Sequence, residues 1–154
     1  MQMSLEQEEV RRNSLEAAKL TLKDGGYSCV IASAGKVVFT SRGRGIAPLV
    51  EYYHQYGEAH PGAALADKIM GRAAALLARL VGIGEVYTDV ISQGALEELN
   101  KAGIAASFET KVDAIQNRAG TGLCPMELLS KGVEDPREML RKAEDFLAGI
   151  GKKG

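Results

Sequence analysis

Cys124 stands directly before Pro125 in the stretch GTGLCPMELL, residues 120–129, an order that puts a thiol at the cap position of a helix. A thiol there meets the positive end of the helix dipole and unpaired backbone N–H groups, both of which favour the nucleophilic thiolate. Glu127, three residues on, opposes that effect and offers an acid–base group. Gly120, Thr121 and Gly122 add backbone donors able to hold an anion. The alternative is a buried or idle cysteine that only begins a helix. A zinc role finds no support in the spacing, because the fourth residue of the run Cys124, Pro125, Met126, Glu127 is glutamate where a second thiolate would be needed.

The stretch SRGRGIAPL, residues 41–49, is the second candidate. Gly43 and Gly45 follow a β-rich run and Pro48 begins a helix, so pliable backbone, Arg42 and Arg44 converge where phosphate is often bound. It is not a dinucleotide fingerprint, which would need glycine at position 48. A plain surface loop with two solvated arginines is the competing reading.

The elements that must position these residues follow from periodicity. Ser4 to Lys23 predicts a helix with Leu15, Ala18 and Leu22 on one face, ended by DGG. Ser28 to Ala32 and Lys36 to Ser41 predict a hairpin turning at Ser33 to Gly35. Pro48 opens a short helix through Tyr56, where His54, like His60 beyond it, serves structure. Pro61 to Val81 predicts the longest helix, with Leu65, Ile69, Ala73, Leu76, Leu77 and Leu80 on one side. Ala63, Asp67, Gly71, Ala74 and Ala78 line its other side, a small-residue stripe open to a neighbouring helix or a second subunit. If that stripe is covered, the carboxylate of Asp67 must find donors. EVYTDVIS is the third strand, QGALEELNKAG a helix and IAASFET the fourth strand, and two helices finish the chain. The last of them has Asp135 as cap, Pro136 in its first turn and Glu138 placed for a capping box.

This order predicts one α/β domain over residues 1–154 with a mixed central sheet of four to five strands and helices on both faces; residues 1–13 and 150–154 are expected to be peripheral. Nineteen basic against twenty acidic residues give a charge of -1, so nothing in the balance draws the chain to nucleic acid or an anionic membrane. No apolar run is long enough to span a bilayer, and the polar, acidic start is unlike a secretory signal. Two distant cysteines, Cys29 and Cys124, fit free thiols in a reducing cytoplasm.

EVYTDVISQGALEELNKAGIAASFE, preceded by an alanine-rich segment, resembles the three-layer cytidine deaminase-like fold, in which a strand like VYTDV leads to a metal-binding turn, a helix and a further strand. With SRGRGIAPL, ADKIMGRAAA and GTGLCPMELL, the chain resembles the prokaryotic family called domain of unknown function 1893, a divergent branch of that fold. The resemblance implies an oligomer and a pocket for a nucleotide-like molecule, but its zinc chemistry does not carry over. Deaminases of this fold need H-x-E and P-C-x-x-C. Here the turn after the third strand reads Ser92, Gln93, Gly94, Ala95, and neither His60-Pro61-Gly62 nor Ala66-Asp67-Lys68 supplies the first motif. The expectation is therefore no metal and no cofactor.

In that arrangement Lys68 stands where relatives place zinc, able to offer positive charge to a substrate oxygen or phosphate, with Asp67 orienting it. The expected pocket is lined by Arg42 to Ile46, Asp67, Lys68 and Thr121 to Glu127, and holds a small phosphorylated or nucleotide-like ligand. If there is catalysis, Cys124 is the nucleophile, Lys68 the electrostatic stabiliser and Asp67 or Glu127 the acid–base partner. The competing class is a non-enzymatic, self-associating accessory or regulatory protein.

Overall fold

The computed structural model describes residues 4–153, with side chains described for residues 4–149. The expected peripheral character of residues 1–3 and of the side chains of residues 150–154 lies outside that range. Helix α1 (Leu5–Gly25) opens on a reciprocal cap between Ser4 and Gln7 and stops where Gly26 turns left-handed at φ 66°. Strands β1 (Cys29–Ser33) and β2 (Lys36–Ser41) form the expected hairpin, in which Ser33 pairs with Lys36. Both turn residues, Ala34 and Gly35, have positive φ, the mirror-image turn whose twist suits paired strands. Ser14 Oγ accepts from Gly35 N at 2.8 Å and fastens the turn to α1.

The chain continues through α2 (Ala47–Tyr56), β3 (Ala64–Met70), α3 (Arg72–Leu80), β4 (Glu85–Ser92), α4 (Gln93–Lys101), β5 (Ala105–Val112), α5 (Pro125–Leu129) and α6 (Pro136–Lys153). Asp135 caps α6 by accepting from Arg137 N at 3.0 Å. The five strands form one open sheet in the order β2-β1-β3-β4-β5, with β1 antiparallel to both neighbours and β3, β4 and β5 parallel. Helix α1 covers one face through Leu15, Ala18 and Leu22 against Val30, Ala32, Ala64 and Ala66. The larger core, with Leu65, Met70, Leu76, Leu77 and Ile91, lies on the other face with the remaining helices.

The structure corrects one expectation. Residues 61–81 are not one helix: Ala64–Met70 is the central strand, Gly71 is the turn, and only Arg72–Leu80 is helical. Ala64 and Ala66 alternate with Leu65 and Asp67, the small pair beneath α1 and Leu65 in the larger core. The small-residue stripe is therefore no helix face open to a partner; Ala74 and Ala78 are buried in α3 and Asp67 sits in a strand.

Strict alternation also fails where the parallel strands near their carboxyl ends. Lys68 and Ile69 in β3 both face away from the core, as Asp89 and Val90 do in β4, before Met70 and Ile91 turn back into it. Asp67 pairs in register with Thr88 at the level just before the break, and Thr88 Oγ1 donates to Val90 O at 2.9 Å. This doubled step presents two successive side chains of each strand on one side.

Candidate functional site

A cleft of about 450 Å³ opens at that doubled step, beside the end of α1 and above β3, β4 and β5. Leu22, Lys23 and Gly26 from α1 and its cap form one wall, and Lys68, Asp89, Val90, Glu109 and Thr110 form the floor. Carboxyl ends of parallel strands are where open α/β sheets usually hold ligands. Tyr87 Oη donates towards Asp89 Oδ1 at 2.6 Å and Glu109 Oε1 at 3.0 Å, and Lys23 Nζ reaches the same Glu109 oxygen at 3.0 Å. Lys19 and Lys23 lie over the Tyr87 ring, 4.6 and 5.3 Å from its centroid. Burial, and then the bond to Asp89, push the Tyr87 hydroxyl up to about 12, so it stays a donor at neutral pH. The Lys23 ammonium holds Glu109 below the usual carboxylate range, and Glu109 in turn raises Lys23.

A second hollow of about 570 Å³ shares Val90 with the first and runs on between Ile69, Val112, Ile115 and Leu123. The two hollows adjoin at Val90: the first is charged near α1, and the second mixes apolar Ile69, Val112, Ile115 and Leu123 with Asp113 and Gln116. The apolar wall holds its shape through local bonds. Asn117 N donates to Gly122 O at 2.8 Å, Thr121 N donates to Asn117 Oδ1 at 3.1 Å, and Gln116 bridges to Leu123.

Of the residues expected to form a site, Lys68 lines the charged cleft, exposed and, among the described residues, without an ion pair. Asp67 is its chain neighbour but faces the other way, buried and in register with Cys29. Burial pushes its carboxyl up to about 8, against the pull of the Lys68 and Ile69 backbone N–H groups, so Asp67 is mainly a neutral acid at pH 7. Arg42 donates to Gly25 O at 2.8 Å and stacks on Tyr27 with its guanidinium 4.2 Å from the ring centroid, tying the hairpin to the end of α1. Gly43 O accepts from Ser28 Oγ at 2.6 Å, Arg44 O accepts from Ala47 N, Gly45 supplies a positive φ, and Ile46 is buried in the core. Ser28 O accepts from Lys68 N at 3.0 Å, so the loop connects to Lys68 only through Ser28, and none of residues 42–46 lines the cleft.

Cys124 is half-buried against the larger core at the start of α5 and bonds Ile115 O through its backbone N–H. Glu127 commits both carboxylate oxygens to backbone donors, Oε1 to Arg72 N at 3.1 Å and Oε2 to Ile115 N at 2.9 Å. It therefore caps α3 from a distant part of the chain. A Cβ on Gly71 would stand 2.7 Å from Glu127 Oε1, which is why glycine occupies the turn between β3 and α3. The Arg72 guanidinium reaches Ser130 O, Val133 O and Glu98, while Arg79 holds the second oxygen of buried Glu98 at 2.9 Å. No hydrogen bond or ion pair among the described residues joins Lys68 to Asp67, Cys124 or Glu127 through their side chains.

Lys23, Asp89 and Glu109 line the cleft and buried Tyr87 braces two of them, but none was singled out in the sequence. A signal was present: Tyr87 and Asp89 lie two apart on a strand, and Lys19 and Lys23 four apart on a helix. What joins them is the parallel pairing of β4 with β5, which no local spacing specifies.

The fold defines an open, mixed α/β sheet protein with two adjoining hollows at the carboxyl ends of its parallel strands. The family model described as "Domain of unknown function (DUF1893)" matches residues 17–147, and the chain belongs to that family. A crystal structure of a DUF1893 family protein from Thermotoga maritima is similar, with a TM-score of 0.80 and 28% identity over 87% of this chain and 90% of that one. No functionally curated protein matches the chain. No helix among the described residues is long and apolar enough to cross a membrane.

Proposed function

We propose that this chain is a zinc-less branch of the cytidine deaminase-like fold and binds a small phosphorylated, nucleotide-like molecule in the groove over β3, β4 and β5. The alternation β3–α3–β4–α4–β5 supports the fold reading. The turns entering α3 and α4 read Met70-Gly71-Arg72 and Ser92-Gln93-Gly94-Ala95, a donor set with no imidazole or thiolate that does not fit zinc. The observation that carries the binding reading is the meeting of two hollows at Val90: Lys68, without an ion pair among the described residues, lines the charged one, and the adjoining one is mainly apolar.

The geometry favours binding over catalysis by Cys124, since Glu127 is engaged with backbone and Asp67 is held neutral on the far side of the sheet. Thermal-shift and calorimetric titration with ribonucleoside monophosphates tests this. Lys68→Met is expected to weaken binding by about tenfold or more, the loss of one charge-assisted contact, while Cys124→Ser leaves affinity unchanged. A nucleotide panel that shifts nothing, or equal affinity in Lys68→Met, contradicts the reading.

A second reading, a self-associating accessory protein, is favoured by β5. This edge strand is exposed along nearly its whole length and carries half-exposed Phe108. Light scattering coupled to size exclusion should then give a dimer mass that Phe108→Lys converts to monomer; a wild-type monomer at all concentrations removes it.

A further inference from the structure

The charged end of the groove offers hydrogen-bond acceptors beside a cation, and that pattern narrows the ligand. Tyr87 has one hydroxyl proton, and it lies between Asp89 Oδ1 and Glu109 Oε1. Lys23 is engaged with the same Glu109 oxygen. Asp89 Oδ2 and Glu109 Oε2 have no partner among the described side chains. An ionised carboxylate can only accept, so a ligand group that meets these oxygens must carry donors. Lys68 occupies the position opposite Asp89, between the register pairs Asp67–Thr88 and Ile69–Val90, and only donates.

Lys23, Lys68, Asp89 and Glu109, which line the cleft, sum to no formal charge, and Lys19 beside Tyr87 adds one, so the cleft is no dense cationic site for a bare phosphate dianion. Resting on the groove reading above, we infer that the ligand is a phosphate monoester of a sugar with a free vicinal diol: the phosphate pairs with Lys68, and the diol donates to Asp89 and Glu109. The apolar hollow past Val90 then takes the group attached to the sugar. This is the ribonucleotide pattern, and it excludes inorganic phosphate and dideoxy sugars as good ligands.

Calorimetry on the full chain with adenosine monophosphate, its 2′,3′-dideoxy analogue and inorganic phosphate tests the inference. Deleting both hydroxyls is expected to weaken binding at least tenfold, and inorganic phosphate should neither bind nor compete at millimolar concentration. Asp89→Asn, with its fold checked by circular dichroism, should shrink the difference between the two nucleotides. Equal affinity for both nucleotides overturns this inference while leaving the groove reading intact. Binding by neither overturns both. Competition by inorganic phosphate at the same concentration as the nucleotide overturns the diol's role.

Discussion

Asp67→Asn should be more stable than the wild-type chain at neutral pH, by an amount that grows as the pH rises. The Asp67 carboxyl has a folded-state value of about 8 against an ordinary 3.8. Burial is the main cause. Below about pH 4 the group is protonated folded or unfolded and contributes nothing. Between about 4 and 8 the unfolded chain releases this proton while the folded chain keeps it, so stability falls with rising pH, and above about 8 the loss levels off. Four units correspond to on the order of 5 kcal/mol at full extent, a large share of a typical domain's stability. Asparagine keeps the shape but cannot ionise. Urea denaturation of both chains at pH 5, 7 and 9 should therefore show their free energies diverging upward with pH. Parallel curves would mean that the carboxyl is solvated or paired.

Arg72→Met should cost about 3–5 kcal/mol, the range for removing one partner of a buried ion pair. The Arg72 guanidinium, one-fifth exposed, joins three parts of the chain: α3 itself, Glu98 of α4, and the Ser130 and Val133 carbonyls after α5. Without it those carbonyls lose their donor, and Glu98 keeps only Arg79 at 2.9 Å and the longer contact to Lys101 at 3.7 Å. Lysine would not restore the fork, so Arg72→Lys should recover little. In a double-mutant cycle, Glu98→Leu should remove part of the damage, because the uncompensated charge goes with it. The loss should also loosen residues 130–133, which the guanidinium holds through the Ser130 and Val133 carbonyls. A cost below about 1 kcal/mol would assign the network to the solvated surface.

Local rules read much of this fold. The hairpin followed from small residues at Ser33 to Gly35 between β-branched runs, β4 from EVYTDVIS and the last helix from Asp135 and Pro136. Residues 64–70 defeated the same rules. Ala64, Leu65, Ala66, Lys68 and Met70 all favour helix, and Leu65, Ile69 and Ala73 fall at helical spacing. The deciding force is nonlocal: this segment is the centre strand, hydrogen-bonded on both edges and, at Ala64 to Ala66, buried on both faces, where tertiary context overrides propensity. With β3 hidden, Asp67 and Lys68 were read as one corner of a pocket, whereas adjacent positions at a doubled step turn one side chain into the sheet and the other into the groove. Lys68 was legible as a free cation. Its companions Asp89 and Glu109 were not, because they meet only through strand register.

Backbone amide shifts on titration with adenosine monophosphate test the groove most directly. Changes should cluster at residues 68–70, 89–91 and 110–112, the strand segments beneath the ligand. Changes confined to residues 42–46, or none at saturating nucleotide, would contradict the account.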